Sequence, residues 1–507
     1  MIKTITPSIF RRFINLNSRS PNLSVLSAGQ PLHETRPHYL PQPGYLTPAI
    51  SAQEYYQRRL QLSRQMPAKS LAIIVGNTVQ FASGSVFYDF QQDNDLFYLT
   101  GWNEPDAIAI VEKKGDNEEN DVFLHMLVPP RNPAKELWEG AKSGLEGALE
   151  YFNADLVEDI ARAPLYLQSL IKQDIDVIYY DNKFESKLEE PIKSFFSILG
   201  TSNLNGIISK SNKKISPLSP KIAELRAIKS PAEIKVMHAA GKISSRAINK
   251  AMAKVGSEQP ICTERTLAKY LEYQFIKGGC DKQAYIPVVA SGRNALTIHY
   301  TRNDDLLYRD EMVFIDAGGK IGGYNADISR TWPNSPRGFS DPQRDIYQAV
   351  LNTNKACIEL CAESLGNSLH DLQDFAVKNL TQELNNITGF NVNTTEVARY
   401  LYPHYIGHHL GLDLHDVPSC SKYKSLVSGN VITIEPGLYI PEDDRWPKHF
   451  QGIGVRVEDD IVVGKTGDDI LNLTSGCVKE VADIEALIKA GKCTTPGIDE
   501  ELVVLDI

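Results

Sequence analysis

The chain has 507 residues, a formal net charge of −10, and 42% hydrophobic and 23% charged residues, a composition that is ordinary for a soluble globular protein. At roughly 150 residues per domain, this length predicts two or three domains and excludes a small peptide or an isolated binding module. No run approaches the roughly 18 uninterrupted apolar residues of a membrane span, and the acidic balance argues against nucleic acid as a partner.

The first 33 residues have the composition of a mitochondrial targeting segment. They contain four basic residues, five serines and no acidic residue. Ile5, Ile9, Phe13 and Leu16 recur at helical spacing, so the segment can form a basic amphipathic helix. The alternative is a disordered polar tail.

The body of the chain changes character between residues 201 and 220. Before this stretch, short β-rich runs alternate with helical patterns, which predicts an α/β domain. The stretch itself is rich in Ser, Asn, Lys and Pro and has no periodicity, so it predicts a boundary. The predicted segments are 1–33 (targeting), 45–205 (amino-terminal domain), 206–228 (linker), 229–490 (second domain) and 491–507 (tail).

The second domain has the pattern of an internal duplication. A capping-box signature at Ser230–Glu233 is nearly repeated at Ser340–Gln343, and each opens a long helix. A second amphipathic helix and then a set of strands follow in each half. The order and spacing predict a domain of two similar halves.

Two acidic residues interrupt the apolar strands of the first half. Asp316 and Asp327 lie in β-like runs joined by a glycine-rich turn. Antiparallel pairing about Ile321 and Gly322 would place the two carboxylates directly opposite each other on one face, with Cβ atoms about 5 Å apart. Like charges at that distance repel.

The second half repeats this feature and adds histidines. Glu435 follows the apolar run Val431–Ile434, and Glu458 follows Val457. Four of the eleven histidines lie within twelve residues, at His404, His408, His409 and His415. A further histidine, His299, lies just before the first aspartate strand. This density of imidazoles favours a functional site.

Four carboxylates in half-buried strands require positive charge. An unpaired buried carboxylate costs several kcal/mol or becomes protonated. Two divalent cations would supply +4 against −4, and carboxylate oxygens suit hard divalent ions. The alternative is that each acid pairs separately with an arginine or caps a turn.

The order of these residues resembles the aminopeptidase P branch of the metallopeptidases with the pita-bread fold. Residues 90–107 and 136–144 are similar to the amino-terminal domain of the same family. The resemblance implies an α/β (α+β) fold class, with an amino-terminal α/β domain followed by a pita-bread domain of two pseudo-symmetric halves. The positions that match the ligands of a dinuclear metal centre are Asp316, Asp327, His408, Glu435 and Glu458.

The resemblance is nearest to the mitochondrial members, which include intermediate-cleaving peptidases. It implies an aminopeptidase that removes one amino-terminal residue from peptides or imported proteins after presequence cleavage, by a hydroxide that bridges two divalent ions. The ions are expected to be Mn²⁺, and the location the mitochondrial matrix or the matrix side of the inner membrane. The expected partners of the protein are peptide or protein amino termini as substrates. Some members of the family are oligomeric, so the resemblance also predicts a homo-oligomer.

The resemblance also implies roles for residues around the ions. Glu435 is expected to act as general base and proton shuttle. His299 and His415 match positions that contact the substrate and the tetrahedral intermediate, and His404 belongs with them. Arg456 is expected to orient carboxylates or substrate, with a structural ion pair as the alternative.

Two other functions are compatible with this pattern. One is a general Xaa-Pro aminopeptidase or a prolidase-like dipeptidase. The other is a catalytically silent pita-bread protein that only binds partners, although such proteins typically lose metal ligands. All five matching positions are kept in this sequence.

Overall fold

The computed structural model describes residues 28–40, 42–118, 120–181 and 204–492. Most of the predicted targeting segment and of the acidic tail therefore lie outside the described residues. Within the described ranges, no helix is both long enough and apolar enough to span a membrane.

The amino-terminal domain is built on a mixed six-stranded sheet. Its strands are, in spatial order, Lys214–Ser216, Val177–Tyr179, Ser70–Val75, Ile108–Lys113, Val122–Val128 and Leu156–Asp159. The two central strands, Ser70–Val75 and Ile108–Lys113, are buried along their whole length, because helices cover the sheet. The helices of this domain are Ala52–Arg64, Asn94–Thr100, Pro133–Glu139, Gly144–Glu150, Ala163–Ile171 and Leu204–Ser209, of which Pro133–Glu139 has no buried residue.

The stretch 206–228, which the sequence predicts to be a linker, carries regular structure. Strand Lys214–Ser216 pairs in parallel with Val177–Tyr179 and so extends the amino-terminal sheet. Helix Ser219–Ala227 follows at once. The strand is only three residues long, so it leaves no periodic signal, and its pairing is made with a distant segment.

The second domain contains two similar halves, as expected. Helices Pro231–Ala253 and Asp341–Ile358 open the halves, and both begin with a capping box. Helices Glu264–Gly278 and Leu369–Asn385 follow them and pack against them. The fold is therefore the predicted pair of helix and strand sets.

Antiparallel strands form the inner layer of both halves. In the first half the strands are Lys282–Gln283, Val288–Ser291, Met312–Asp316, Gly319–Ile321, Tyr324–Asn325 and Ser329–Pro333. In the second half they are Val431–Ile434, Gly437–Tyr439, Gly454–Arg456, Asp459–Val462 and Leu471–Asn472. The remaining elements are the small strands Tyr45–Thr47, Ile50–Ser51, Phe81–Ser83 and Val86–Phe87 and the helices Thr394–Glu396 and Val481–Ala490.

The hairpin that carries the two aspartates turns one residue later than the sequence predicts. Asp316 is opposite Ser329 and Ile321 is opposite Tyr324, so the turn lies between Gly322 and Gly323. Both glycines have positive φ, 52° and 88°, as a two-residue hairpin turn demands. The prediction that Asp316 and Asp327 lie directly opposite is therefore wrong.

The correct pairing nevertheless keeps both aspartates on one face. The register differs from the predicted one by two residues, and side chains alternate between faces with a period of two. Asp327 is thus the diagonal neighbour of Asp316. This places both carboxylates towards the second half of the domain.

Candidate metal centre

A tyrosine joins the two aspartates of the hairpin. The hydroxyl of Tyr285 lies 2.5 Å from Asp327 Oδ1 and also contacts Asp316 Oδ1. Asp327 is 4% exposed, and its backbone N–H donates to the carboxylate of Asp460 at 3.1 Å. The first half thus presents two carboxylates from one strand pair, that of Asp327 buried and that of Asp316 largely buried.

The second half brings an imidazole to these oxygens. His408 Nδ1 donates to the carbonyl of His409 at 2.9 Å, which leaves Nε2 free to act as a ligand. That nitrogen lies 3.5 Å from Asp327 Oδ2 and 3.7 Å from Glu435 Oε1. The sequence gives no role to His409, and the structure shows that its carbonyl orients His408.

Glu458 completes the cluster from the link between strands Gly454–Arg456 and Asp459–Val462. Ligand atoms of Asp327, His408 and Glu458 all lie within 4.8 Å of one another. Glu458 is 1% exposed and accepts a hydrogen bond from Ser329 Oγ at 2.6 Å. Residues 131 positions apart in the sequence therefore lie close together in the structure.

Arg456 connects the carboxylates to the surrounding polar groups. Its guanidinium is buried and lies 2.5 Å from Asp316 Oδ2. It also donates to Ser329 Oγ at 2.9 Å and to the hydroxyl of Tyr439 at 2.8 Å. His404 Nε2 lies 3.0 Å from the same hydroxyl, so Arg456, Tyr439 and His404 form one continuous chain.

The charges of this cluster are not balanced by the protein alone. Burial, with the charge of Asp327 added, raises the pKa of Asp316 to about 7. Burial also raises the pKa of Glu435, and burial and neighbouring carboxylates raise that of Glu458 well above its usual value. Burial acts in the same direction on Asp327, but the hydrogen bond and charge of His408 outweigh it and lower the pKa.

The donor set therefore fits divalent cations. Four carboxylates face one guanidinium and one imidazole, so the ionised cluster has excess negative charge. Oxygen donors with one imidazole nitrogen suit hard or borderline divalent ions, which would favour the ionised carboxylates. The residues present thus meet the chemical demand of a metal site.

All nine residues predicted for the site line a single cavity of about 610 Å³. The rings of His408 and His415 have centroids 4.3 Å apart, while the exposed His299 lies at the cavity wall. Sequence reasoning missed Tyr285, Ser329 and Tyr439. No local pattern marks these residues, because each meets its partner across a long sequence separation or a strand crossing.

Comparisons with known proteins relate both domains of the chain to one family. Residues 235–465 match the model of metallopeptidase family M24, and residues 55–179 match the aminopeptidase P amino-terminal domain. Intermediate cleaving peptidase 55 of Saccharomyces cerevisiae is 51% identical over 474 residues, which cover 92% of this chain and 90% of that protein. Xaa-Pro aminopeptidase 3 of Homo sapiens is 36% identical, with 90% of each chain covered.

Solved structures show the same likeness. The crystal structure of Icp55 from Saccharomyces cerevisiae, with 58 amino-terminal residues deleted, has a TM-score of 0.78 and 47% identity and covers 88% of this chain and 100% of that one. The Asp271Ala form of Escherichia coli aminopeptidase P also has a TM-score of 0.78, at 30% identity, and covers 88% of this chain and 99% of that one. The chain therefore belongs to metallopeptidase family M24 and is a metal-dependent peptidase with the two-domain architecture of the aminopeptidase P proteins.

Proposed function

We propose that this chain is an aminopeptidase that removes a single residue from the amino terminus of peptides and of imported mitochondrial proteins after presequence cleavage. The observation that carries the proposal is the convergence of Asp327, His408 and Glu458 within 4.8 Å in a cavity large enough for a peptide end. The names of the relatives, intermediate cleaving peptidases and Xaa-Pro aminopeptidases, support this choice of substrate.

The proposed ligands of two divalent ions are Asp316, Asp327, His408, Glu435 and Glu458. Four of the five residues supply carboxylate oxygen, a donor type that suits Mn²⁺, which is our choice for the ion. When bound, the ions activate a water molecule at neutral pH and polarise the scissile carbonyl. A catalytic Ser or Cys is then not required.

The residues of the chain move protons and hold charge. Glu435 accepts a proton from the attacking water and delivers it to the leaving amine. His415 and His299 donate hydrogen bonds to the oxygen on which negative charge develops. The free amino group of the substrate lies against the carboxylates, which restricts cleavage to the end of a chain.

Arg456 and His404 hold this arrangement in place. Arg456 neutralises Asp316, and through Tyr439 it also fixes the ring of His404. The ring donates from Nδ1 to the carbonyl of Tyr405 at 2.9 Å, so Nε2 accepts from the Tyr439 hydroxyl. Both side chains therefore enter the site with fixed orientation.

Hydrolysis of defined peptides tests the substrate assignment. Purified protein with added Mn²⁺ should release the first residue from peptides that start with Tyr-Ser or Leu-Ser. Exclusive cleavage of peptides that start with Ala-Pro would overturn the intermediate-cleaving assignment in favour of a general Xaa-Pro aminopeptidase. Absence of both bound divalent metal and hydrolysis would favour a binding protein without catalytic activity.

We place the protein in mitochondria, in the matrix or on the matrix side of the inner membrane. The basic, Ser-rich residues 1–33 support this location, and a relative from Arabidopsis thaliana is named mitochondrial. Comparison of mitochondrial protein amino termini with and without this enzyme should show differences of one residue. Unchanged termini would contradict both the location and the substrate.

We also propose that the chain forms a homo-oligomer through helix Pro133–Glu139. Within this helix Leu137 is 81% exposed and Trp138 is 87% exposed, and no residue of the helix is buried. Apolar residues exposed in the isolated chain often mark an interaction surface, and tryptophan is enriched among the residues that contribute most to binding. Trp138→Lys should lower the molar mass in light scattering, and a parent protein that is already monomeric would refute the interface.

A further inference from the structure

A cluster of charges, buried except at the half-exposed Asp413, holds the turn that carries His415. Asp413 lies two residues before this histidine and Asp416 directly follows it, and both carboxylates bind Arg226. Asp413 Oδ2 lies 2.7 Å from the guanidinium, and the second oxygen of Asp416 accepts from Lys229 Nζ at 2.8 Å. Asp416 and Lys229 have side chains only 1% exposed, so water does not screen this pair.

The amino-terminal domain contributes to the same cluster. Asp95, on helix Asn94–Thr100, lies 2.6 Å from the guanidinium of Arg226. Asn94 donates to Asp413 Oδ1 at 2.6 Å and to the carbonyl of Leu412 at 3.2 Å. The turn is therefore held from the domain that contains none of the proposed ligands.

Contacts inside the turn transmit this restraint to the histidine. The N–H of Asp416 donates to the carbonyl of His409 at 2.8 Å, which closes the turn next to His408. Asn325 donates to the carbonyls of Gly411 and Leu412, at 3.0 Å each, from the hairpin that ends in Asp327. A displacement of Asp413 or Asp416 would therefore move His415 relative to the ligand cluster.

We propose that Arg226 is a positioning residue for His415, and that through it the amino-terminal domain sets the geometry of the active site. The guanidinium has two terminal nitrogens in a fixed plane, and here they contact three carboxylates from two domains at once. A lysine keeps the charge but cannot span three partners. The proposal rests on the proposed function, because it assumes that His415 contacts the reacting group.

Arg226→Lys tests this role in the intact protein. We expect kcat to fall about ten- to a hundredfold, because a displacement of about 1 Å has effects of that size, while KM stays within about threefold. The matched control is Arg59→Lys, another buried arginine, which donates to the carbonyl of Leu99 within the amino-terminal domain. This control should leave kcat unchanged.

A double-variant cycle separates positioning from general damage. In a His415→Asn background, Arg226→Lys should lower kcat by less than about twofold, because the group it positions is gone. An undiminished loss in that background, or no loss in the parent, would overturn the proposal. If Arg226→Lys does not fold, Asp95→Asn removes the contact from the amino-terminal domain and should give the same cycle.

A crystal structure of the variant provides a readout that does not depend on activity. In Arg226→Lys the separation of the His408 and His415 rings should depart from 4.3 Å. An unchanged separation would reject the positioning role whatever the peptide assays show. Conversely, parental activity of His415→Asn would reject the proposed role of His415 and leave the ligand set untouched.

Discussion

Glu458→Gln should have opposite effects on stability with and without divalent metal. Glu458 is 1% exposed, and its carboxylate shares the ligand cluster with Asp327 and His408. The amide keeps the size of the side chain and removes its charge. Without metal the variant should be more stable than the parent, whereas its gain on addition of Mn²⁺ should be smaller.

The size of the first effect follows from the cluster geometry. Two like unit charges 4.8 Å apart repel by about 3 kcal/mol at an effective dielectric constant of about 20. Since 1 kcal/mol shifts the midpoint of a domain of this size by about 2 °C, removal of one charge should raise the metal-free midpoint by up to about 6 °C. Partial protonation of the parent cluster reduces this figure.

The second effect follows from mass action. An ion at a hundred times its Kd stabilises the folded state by about 2.7 kcal/mol, so two ions contribute about 5 kcal/mol and raise the midpoint by about 10 °C. Glu458 contributes to the shared cluster, so its neutralisation should reduce the affinity for both ions. The increment in the variant should therefore fall to less than half of that in the parent.

Thermal unfolding in chelator and in Mn²⁺ measures both effects. The control is Glu264→Gln, which neutralises another fully buried glutamate of the same domain that accepts hydrogen bonds from Ser291 N–H and Tyr300. This control should lose about 1–3 kcal/mol of unfolding free energy both in chelator and in Mn²⁺. The rise of its midpoint on addition of Mn²⁺ should equal that of the parent. Equal increments in parent and Glu458→Gln, or no increment in the parent, would refute the metal site.

Two further substitutions test the catalytic and structural charges. Glu435→Gln should lower kcat by about 10²–10⁴ without change in the circular dichroism spectrum, and activity within a few-fold of the parent would reject its role as base. Asp416→Asn should cost about 3–5 kcal/mol of unfolding free energy at pH 7, because it leaves the buried Lys229 without its carboxylate and removes one of the three carboxylates that bind Arg226. Burial raises the pKa of Asp416, but these two cations outweigh it and hold the pKa below the unfolded value of about 3.9. Its contribution is complete above the unfolded pKa and decreases as the pH falls from there through the folded pKa, so the difference in unfolding free energy between parent and variant should narrow as the pH drops below about 3.9. A difference that stays constant would contradict the assignment.

The sequence predicts the face of the aspartate hairpin but not its exact register. Side-chain alternation and a glycine-rich turn are sufficient to place Asp316 and Asp327 on the same side of the strands. The run contains Gly318, Gly319, Gly322 and Gly323, and composition alone does not say which pair forms the turn. In the structure Gly322 and Gly323 form the turn, because of these four glycines only they have the positive φ that the turn requires.

The residues that support the site could not be predicted for a different reason. Tyr285 meets Asp316 and Asp327 across 31 and 42 positions, and Tyr439 meets His404 across 35. A carboxylate in an apolar strand is anomalous and so attracts attention. A tyrosine in the same place is ordinary, and only its partners reveal what it does.

The role of the segment between the domains could not be predicted for the same reason. Arg226 lies in the stretch 206–228, which the sequence predicts to be a linker, yet it contacts carboxylates from both domains. Its three partners are distant in sequence, so neither charge pattern nor periodicity relates them to it.

The proposed ligands come from both halves of the second domain. The first half supplies Asp316 and Asp327, and the guanidinium that neutralises Asp316 comes from Arg456 of the second half. Backbone contacts join the halves at the same place, since Glu458 N–H donates to the carbonyl of Ser329 at 3.0 Å. The cluster is therefore located where the halves dock, and cation binding should strengthen that docking. The stability increment with Mn²⁺ consequently measures how firmly the two halves are joined as well as how well the ligands fit.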